Sequence, residues 1–95
     1  MKTGIISSKN SLNHDTGDEH PENKYRIQSI LERLKKIKSS NLEWSTPNKF
    51  DESYLKKTHN NLYIEEVKKA FPKKGKFFLD GDTVISPGSK NASYD

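Results

Sequence analysis

At 95 residues and a net charge of +4, the chain makes at most one small domain, in the size range where the buried share of the surface is modest and stability marginal. Leu, Ile, Val and Phe supply only twenty residues, close to the composition at which a chain stops building a core of its own, although the charge is too small to hold it expanded. With no cysteine there is neither a disulfide framework nor a thiolate ligand, and with no membrane-length apolar run or secretory leader the expectation is a soluble, cytoplasmic protein with no membrane partner.

Along the chain, Thr3-Gly4-Ile5-Ile6-Ser7 reads as a short strand, and residues 8–23, rich in Asn, Asp, Ser and Gly, as a long polar loop. Ile27, Ile30, Leu31, Leu34 and Ile37 then form an apolar stripe at helical spacing, with Lys35, Lys36 and Lys38 where a helix C-terminus favours cations. Leu42-Glu43-Trp44 reads as a short strand and Thr46-Pro47-Asn48 as a turn. Asp51 or Ser53 can cap a brief helix through Leu55. A second helix is expected from about Asn60 to Phe71, with Tyr63, Val67, Ala70 and Phe71 on one side and Pro72 ending it. Lys76 to Leu79 reads as a strand, Asp80-Gly81 as a turn, and Asp82 to Ile85 as an extended segment. Ser86-Pro87 then reads as an N-cap with proline at the first helical position. That helix is cut short at Asp95, with no glycine cap or basic last turn, so the expectation is the front part of a larger protein: residues 1–95 as one incomplete domain. The alternation of strand and helix predicts an α/β fold with a mostly parallel sheet.

The positive charge is carried by fifteen lysines and only two arginines, Arg26 and Arg33. Glu32, Glu52, Glu65 and Glu66 are interleaved with the lysines at helical spacing, giving i,i+4 pairs such as Glu32/Lys36 and Glu65/Lys69, as on a solvated helix face. No platform of interleaved basic and aromatic residues accompanies them, so no nucleic-acid partner is expected.

The densest chemistry lies in His14-Asp15-Thr16-Gly17-Asp18-Glu19-His20-Pro21-Glu22, two imidazoles and four carboxylates in nine residues. Such donors suit zinc, but the spacing matches no standard ligand pattern; a hydrated acidic loop whose histidines brace neighbouring elements is the other reading of the same residues. His59 reads as a capping or buried histidine. No nucleophile stands in a triad-like context, and the five glycines stand singly, so no phosphate loop is present.

Taken in order, His14-Asp15-Thr16-Gly17, His20-Pro21-Glu22-Asn23 with Arg26-Ile27, His59 with Tyr63, Asp82-Thr83 and Ser86-Pro87-Gly88-Ser89 resemble the N-terminal part of the histone deacetylase superfamily. The likeness runs toward class II and bacterial deacetylases, including acetylpolyamine amidohydrolases, from about Thr3 to Asp95. The resemblance implies an N-terminal fragment of the three-layer α/β/α arginase/deacetylase fold, helix-rich with a few short strands. It implies a parent that uses Zn²⁺ to hydrolyse the amide of acetyl-lysine or an acetylated amine, while the zinc ligands and the catalytic histidines and tyrosine belong later in such a parent. The chain alone is then expected to be inactive, with no cofactor and no metal ligand of its own. By the same resemblance His14, Asp15, Asp18 and His20 belong to the loop at the substrate entrance, Arg26 lines an internal channel with Glu22 as its partner, and His59 and Tyr63 are structural, joining the second helix to the sheet.

Three positions depart from the family pattern. Lys24 replaces the second proline of His-Pro-Glu-x-Pro-x-Arg, which loosens the entry to the first helix. Some animal class II enzymes hold a structural zinc with histidines matching His14 and His20 together with cysteines, but Thr16 stands at the nearer cysteine position here. Ile85-Ser86-Pro87 replaces the Asp-Cys-Pro of class I enzymes, which favours the class II likeness. Two expectations follow for partners: the missing C-terminal part of the domain, or, if the chain is a stand-alone binding and self-association module, a second copy of itself.

Overall fold

The computed structural model describes all of residues 1–95. Strand β1 (Thr3–Ile6) leads through a 3-10 helix (Lys9–Asn13) and a loop to helix α1 (Lys24–Lys36), then to β2 (Leu42–Ser45). A second 3-10 helix (Glu52–Lys57) precedes α2 (Asn61–Ala70). Two-residue strands β3 (Phe77–Phe78) and β4 (Val84–Ile85) and a short helix α3 (Ser89–Tyr94) complete the chain. Helices with a few short strands give an α/β composition, and no helix is long and apolar enough to cross a membrane.

Helix α1 starts where a cap is available: the Asn23 side chain accepts from the Tyr25 N–H at 3.1 Å, so Lys24 enters the helix without the family's proline. Arg33, Lys35 and Lys36 sit in its last turn, where the dipole favours them. Asn60 caps α2 in the same way, accepting from the Tyr63 N–H at 2.7 Å. Of the stripe expected on α2, Tyr63 is half exposed; the buried residue is its neighbour Ile64. Charge pairing also differs from the i,i+4 expectation. Lys68 joins Glu52 of the second 3-10 helix at 2.6 Å and Glu65 at 3.2 Å, and the Glu52 hydrogen bond, then that of Glu65, holds its ammonium pKa above the usual lysine value.

The sheet departs from a mostly parallel one. Strands β1 and β2 pair in parallel, Thr3 opposite Leu42 through Ile6 opposite Ser45, with α1 in the crossover. Strands β3 and β4 form a separate antiparallel pair, Phe77 opposite Ile85 and Phe78 opposite Val84, because the link between them is a tight reversal rather than a helix. Asp80 builds that reversal: its carboxylate accepts from the N–H groups of Asp82 (2.8 Å) and Thr83 (2.7 Å) and from the Thr83 hydroxyl (3.1 Å). These bonds, the Asp82 N–H first, hold the Asp80 pKa below the usual carboxylate range. A depressed folded-state pKa adds stability above the unfolded value, near 3.9, that is lost as pH falls through the folded value. The protection of the Asp82 and Thr83 amides, their exchange rate relative to that of an unstructured chain at the same pH, is therefore expected to fall on acidification below about pH 4. In Asp80→Asn that acid-dependent component should vanish.

Other sequence expectations shift at their edges. The loop at 8–23 is not irregular throughout, since the Ser8 hydroxyl accepts from the Asn10 N–H and starts the Lys9–Asn13 3-10 helix. Ser86-Pro87 does not open the last helix: these residues form a turn, with the Ser89 N–H donating to the Ser86 carbonyl at 3.0 Å, and α3 begins at Ser89 with Gly88 at its cap position. The Ser86 hydroxyl is engaged elsewhere.

The core is small. Only six residues are buried, and just three of them, Ile64, Val84 and Ile85, are apolar; the others are Thr16, Ser86 and Ser89. Ile6 and Phe78 stand mostly in solvent, and Trp44, Phe77 and Leu79 are close to half exposed, as are Ile30 and Ile37 of the α1 stripe.

Candidate functional site

The buried hydroxyls mark where the chain is most constrained, the contact between the loop at 14–22 and the segment at 82–89. Asp15 donates its backbone N–H to the Ser86 Oγ at 3.0 Å. The Ser86 Oγ lies 3.2 Å from the Ser89 Oγ, which accepts from the Ser86 N–H at 2.8 Å and lies 2.7 Å from His14 Nδ1. Thr16, 7% exposed, donates its hydroxyl to the Glu22 carbonyl and closes the loop on itself. Gly17, at φ 99°, makes the reversal between them in a backbone region where side chains are strained.

His20 pins the other end. Its Nε2 sits 2.8 Å from the carbonyl of Asp82, which can only accept, so Nε2 carries the proton; Nδ1 then accepts from the Glu22 N–H at 3.0 Å. Asn23 donates its side-chain amide to the His20 carbonyl at 2.8 Å. His14 and His20 thus hold the loop against the strand-to-helix segment at two points, Ser89 and Asp82.

The carboxylates of the loop divide. Asp15 accepts from the Gly17 N–H at 3.0 Å and has the Lys76 ammonium 4.0 Å away. Asp18 and Glu19 are exposed at the loop tip. Glu22 pairs with Arg26 one helical turn on, at 2.7 Å, both side chains half in solvent. The hydrogen bond from Arg26 holds the Glu22 carboxyl below the usual range, helped by the charges of Arg26, His14 and His20.

His59 and Tyr63 lie apart from this cluster. Their rings are 5.1 Å between centroids, and with Leu55 and Tyr94 they line a groove of about 220 Å³ between α2 and α3. Tyr94 is in turn 5.6 Å from the Phe50 ring.

Nowhere do three or more His, Asp or Glu side chains converge to hold a metal ion. Of the donors nearest that possibility only His14 Nε2 makes no hydrogen bond; His14 Nδ1 faces a hydroxyl, both His20 nitrogens face backbone, and the Asp15 carboxylate accepts from Gly17, so no set of free donors converges. The residues present therefore do not fit a zinc ion. Sequence reading picked out the two histidines but not Ser86, Ser89 and Asp82 as the groups that anchor them. The signal was present in Ser-Pro-Gly-Ser, whose turn brings the hydroxyls of residues three apart together.

The chain is also similar to proteins already known. The uncharacterized protein slr0245 of Synechocystis sp. is 34% identical to it over 89 residues, which are 90% of this chain and 29% of that protein, so the chain spans less than a third of its relative's length. The model of the histone deacetylase domain matches residues 20–95, from His20 through the Ser-Pro-Gly-Ser turn to Asp95. By that match, covering most of its length, the chain belongs to the histone deacetylase domain family.

Proposed function

We propose that these residues form the entrance part of a deacetylase domain of the arginase/deacetylase fold, whose whole hydrolyses the amide of acetyl-lysine or another acetylated amine. The observation that carries this reading is the clamp between the loop at 14–22 and the segment at 82–89, because His20 and the anchoring residues Asp82, Ser86 and Ser89 lie within the family's matched segment, and buried polar groups there fix an otherwise exposed loop. On this reading His14, Asp15, Asp18 and His20 belong to the rim of the substrate tunnel, and the Arg26–Glu22 pair supplies fixed charge behind it. The zinc expected of the family has no donor set among these residues, so both the metal and the chemistry at the amide carbon are assigned to the remainder of such a domain. The chain by itself binds and orients; it does not hydrolyse.

A direct test is a chimera in which these residues replace the matching segment of the Synechocystis relative. Release of acetate from an acetyl-lysine peptide or an acetylated diamine is expected from the relative and from the chimera, and none from the 95-residue chain supplied with zinc. Turnover by the chain alone, a folded but inert chimera of an active relative, or a relative inert toward every acetylated amine would each overturn the reading.

A further inference from the structure

We infer that Ser89 is a positioning residue for His14: through a two-hydroxyl relay it keeps Nδ1 of the neutral ring an acceptor and leaves the ring proton on Nε2, so that the loop presents a hydrogen-bond donor rather than a base. The argument is a count of protons at two buried oxygens. Ser86 and Ser89 are 4% and 3% exposed although each borders a groove, so little of either hydroxyl is open to water and their protons are satisfied chiefly within the protein. The Ser86 Oγ has two neighbours, the Asp15 N–H, which donates to it, and the Ser89 Oγ. The Ser89 Oγ has three, the Ser86 N–H, which also donates, the Ser86 Oγ and His14 Nδ1.

Two hydroxyl protons must therefore be placed on two remaining contacts. With Nδ1 bare, Ser86 donates to Ser89 and Ser89 donates to Nδ1, and every group is satisfied. With a proton on Nδ1, that nitrogen donates to Ser89, only the contact between the two hydroxyls remains, and one of their two protons is left unpaired in the interior whichever way that contact is oriented. An orphaned buried donor costs more than the hydrogen bond it replaces returns, so the relay selects the Nε2–H ring. This order runs in one direction, from the Asp15 N–H through Ser86 and Ser89 to His14.

The opposite edge of the ring makes no hydrogen bond to the protein. His14 is half-buried and borders an open groove of about 430 Å³ walled by Ile27, Phe71 and Ile85. An Nε2–H can only donate, to an acceptor oxygen such as an amide carbonyl or the carboxylate of Glu22, which lines the same groove, and cannot remove a proton through that nitrogen. This last step rests on the deacetylase reading; the position of the ring proton does not.

The test is a long-range proton–nitrogen correlation spectrum of the 95-residue chain labelled with ¹⁵N-histidine, recorded at about pH 8.5, well above the ordinary histidine range. His20, whose Nε2 proton is fixed by the Asp82 carbonyl, serves as an internal standard. His14 is expected to show the same pattern, with an unprotonated Nδ1 and a protonated Nε2. Ser86→Ala should leave that pattern in place, since Ser89 still donates to Nδ1, whereas Ser89→Ala should replace it with the averaged signals of a freely exchanging imidazole. A protonated Nδ1 in the wild type, an unchanged spectrum in Ser89→Ala, or His14 signals of a free ring in the wild type would overturn the assignment. If Ser89→Ala unfolds, shown by loss of the His20 pattern as well, the wild-type and Ser86→Ala spectra still decide it. Acetate release by the chimera is read separately, so failure of the deacetylase reading is distinguishable from failure of the relay.

Discussion

In sedimentation at micromolar concentration the purified 95-residue chain is expected to run as a dimer or larger species, well above its 10.9 kDa. Its accessible surface is 7660 Å², whereas the scaling of surface with mass gives about 5,600 Å² for a compact monomer of this size. The radius of gyration, 15.6 Å, likewise exceeds the roughly 12.4 Å expected of 95 residues in one compact domain. The excess of roughly 2,000 Å² per chain is the amount an obligate interface covers. Much of what is left open is aromatic or aliphatic: Phe77 and Phe78 on β3, Ile6 and Trp44 on the parallel pair, Ile30 and Ile37 on α1. In the proposed domain this surface would pack against the remaining sheet and helices; for the chain alone another copy is the available cover. Replacing Phe77 and Phe78 together with Ser should weaken the association roughly tenfold or more, as expected for aromatic anchors. A wild-type chain that sediments as a compact monomer would sink this expectation.

The largest effect of a single substitution is expected at Gly88. A Cβ added there would collide with the Asn13 carbonyl oxygen and lie 2.7 Å from the Asn13 Cβ. Both are held in place, the backbone by the Lys9–Asn13 3-10 helix and the turn by the Ser86–Ser89 hydrogen bonds, so neither side can withdraw without breaking the clamp. Gly88→Ala should cost about 3 kcal/mol or more, the upper range of overpacking. For so small a core that is enough to unfold most of the population. Gly81→Ala is the control: nothing lies within 4 Å of its added Cβ, and its melting temperature should stay close to wild type at equal protein concentration. Two equally stable variants would show that the approach of Asn13 to Gly88 is not a constraint on the fold.

Local structure was the more legible part of this sequence. Helix α1 could be read because its apolar residues recur at helical spacing and its cations collect at one end; the parallel pairing of β1 with β2 follows once a helix separates two short strands. What the sequence does not display is where polar side chains go when few apolar ones are available. Ser86 looked like a helix cap because serine before proline usually is one, but its hydroxyl is taken by Asp15, 71 residues away, and the helix starts later. The α2 pattern points to Tyr63 where the structure buries Ile64, because helical spacing fixes a face only to within a residue when the packing surface opposite is unknown. For the candidate site, the family motifs marked His14, His20 and Arg26, but the physical reason for the histidines' order, a pair of hydroxyls and a carbonyl contributed by residues 82–89, lies beyond any local pattern.

The clamp also fixes when the structure can form. Its hydrogen bonds join residues separated by 62 to 75 positions, and two further bonds, from Ser8 and Asn10 to the Asp95 carboxylate, span 87 and 85. Contacts so distant along the chain require a large loop to close before they return any free energy, which makes them late and slow to form. On the ribosome the loop at 14–22 therefore waits, unanchored, until residues 82–89 have emerged, so its histidines are made well before the groups that set them.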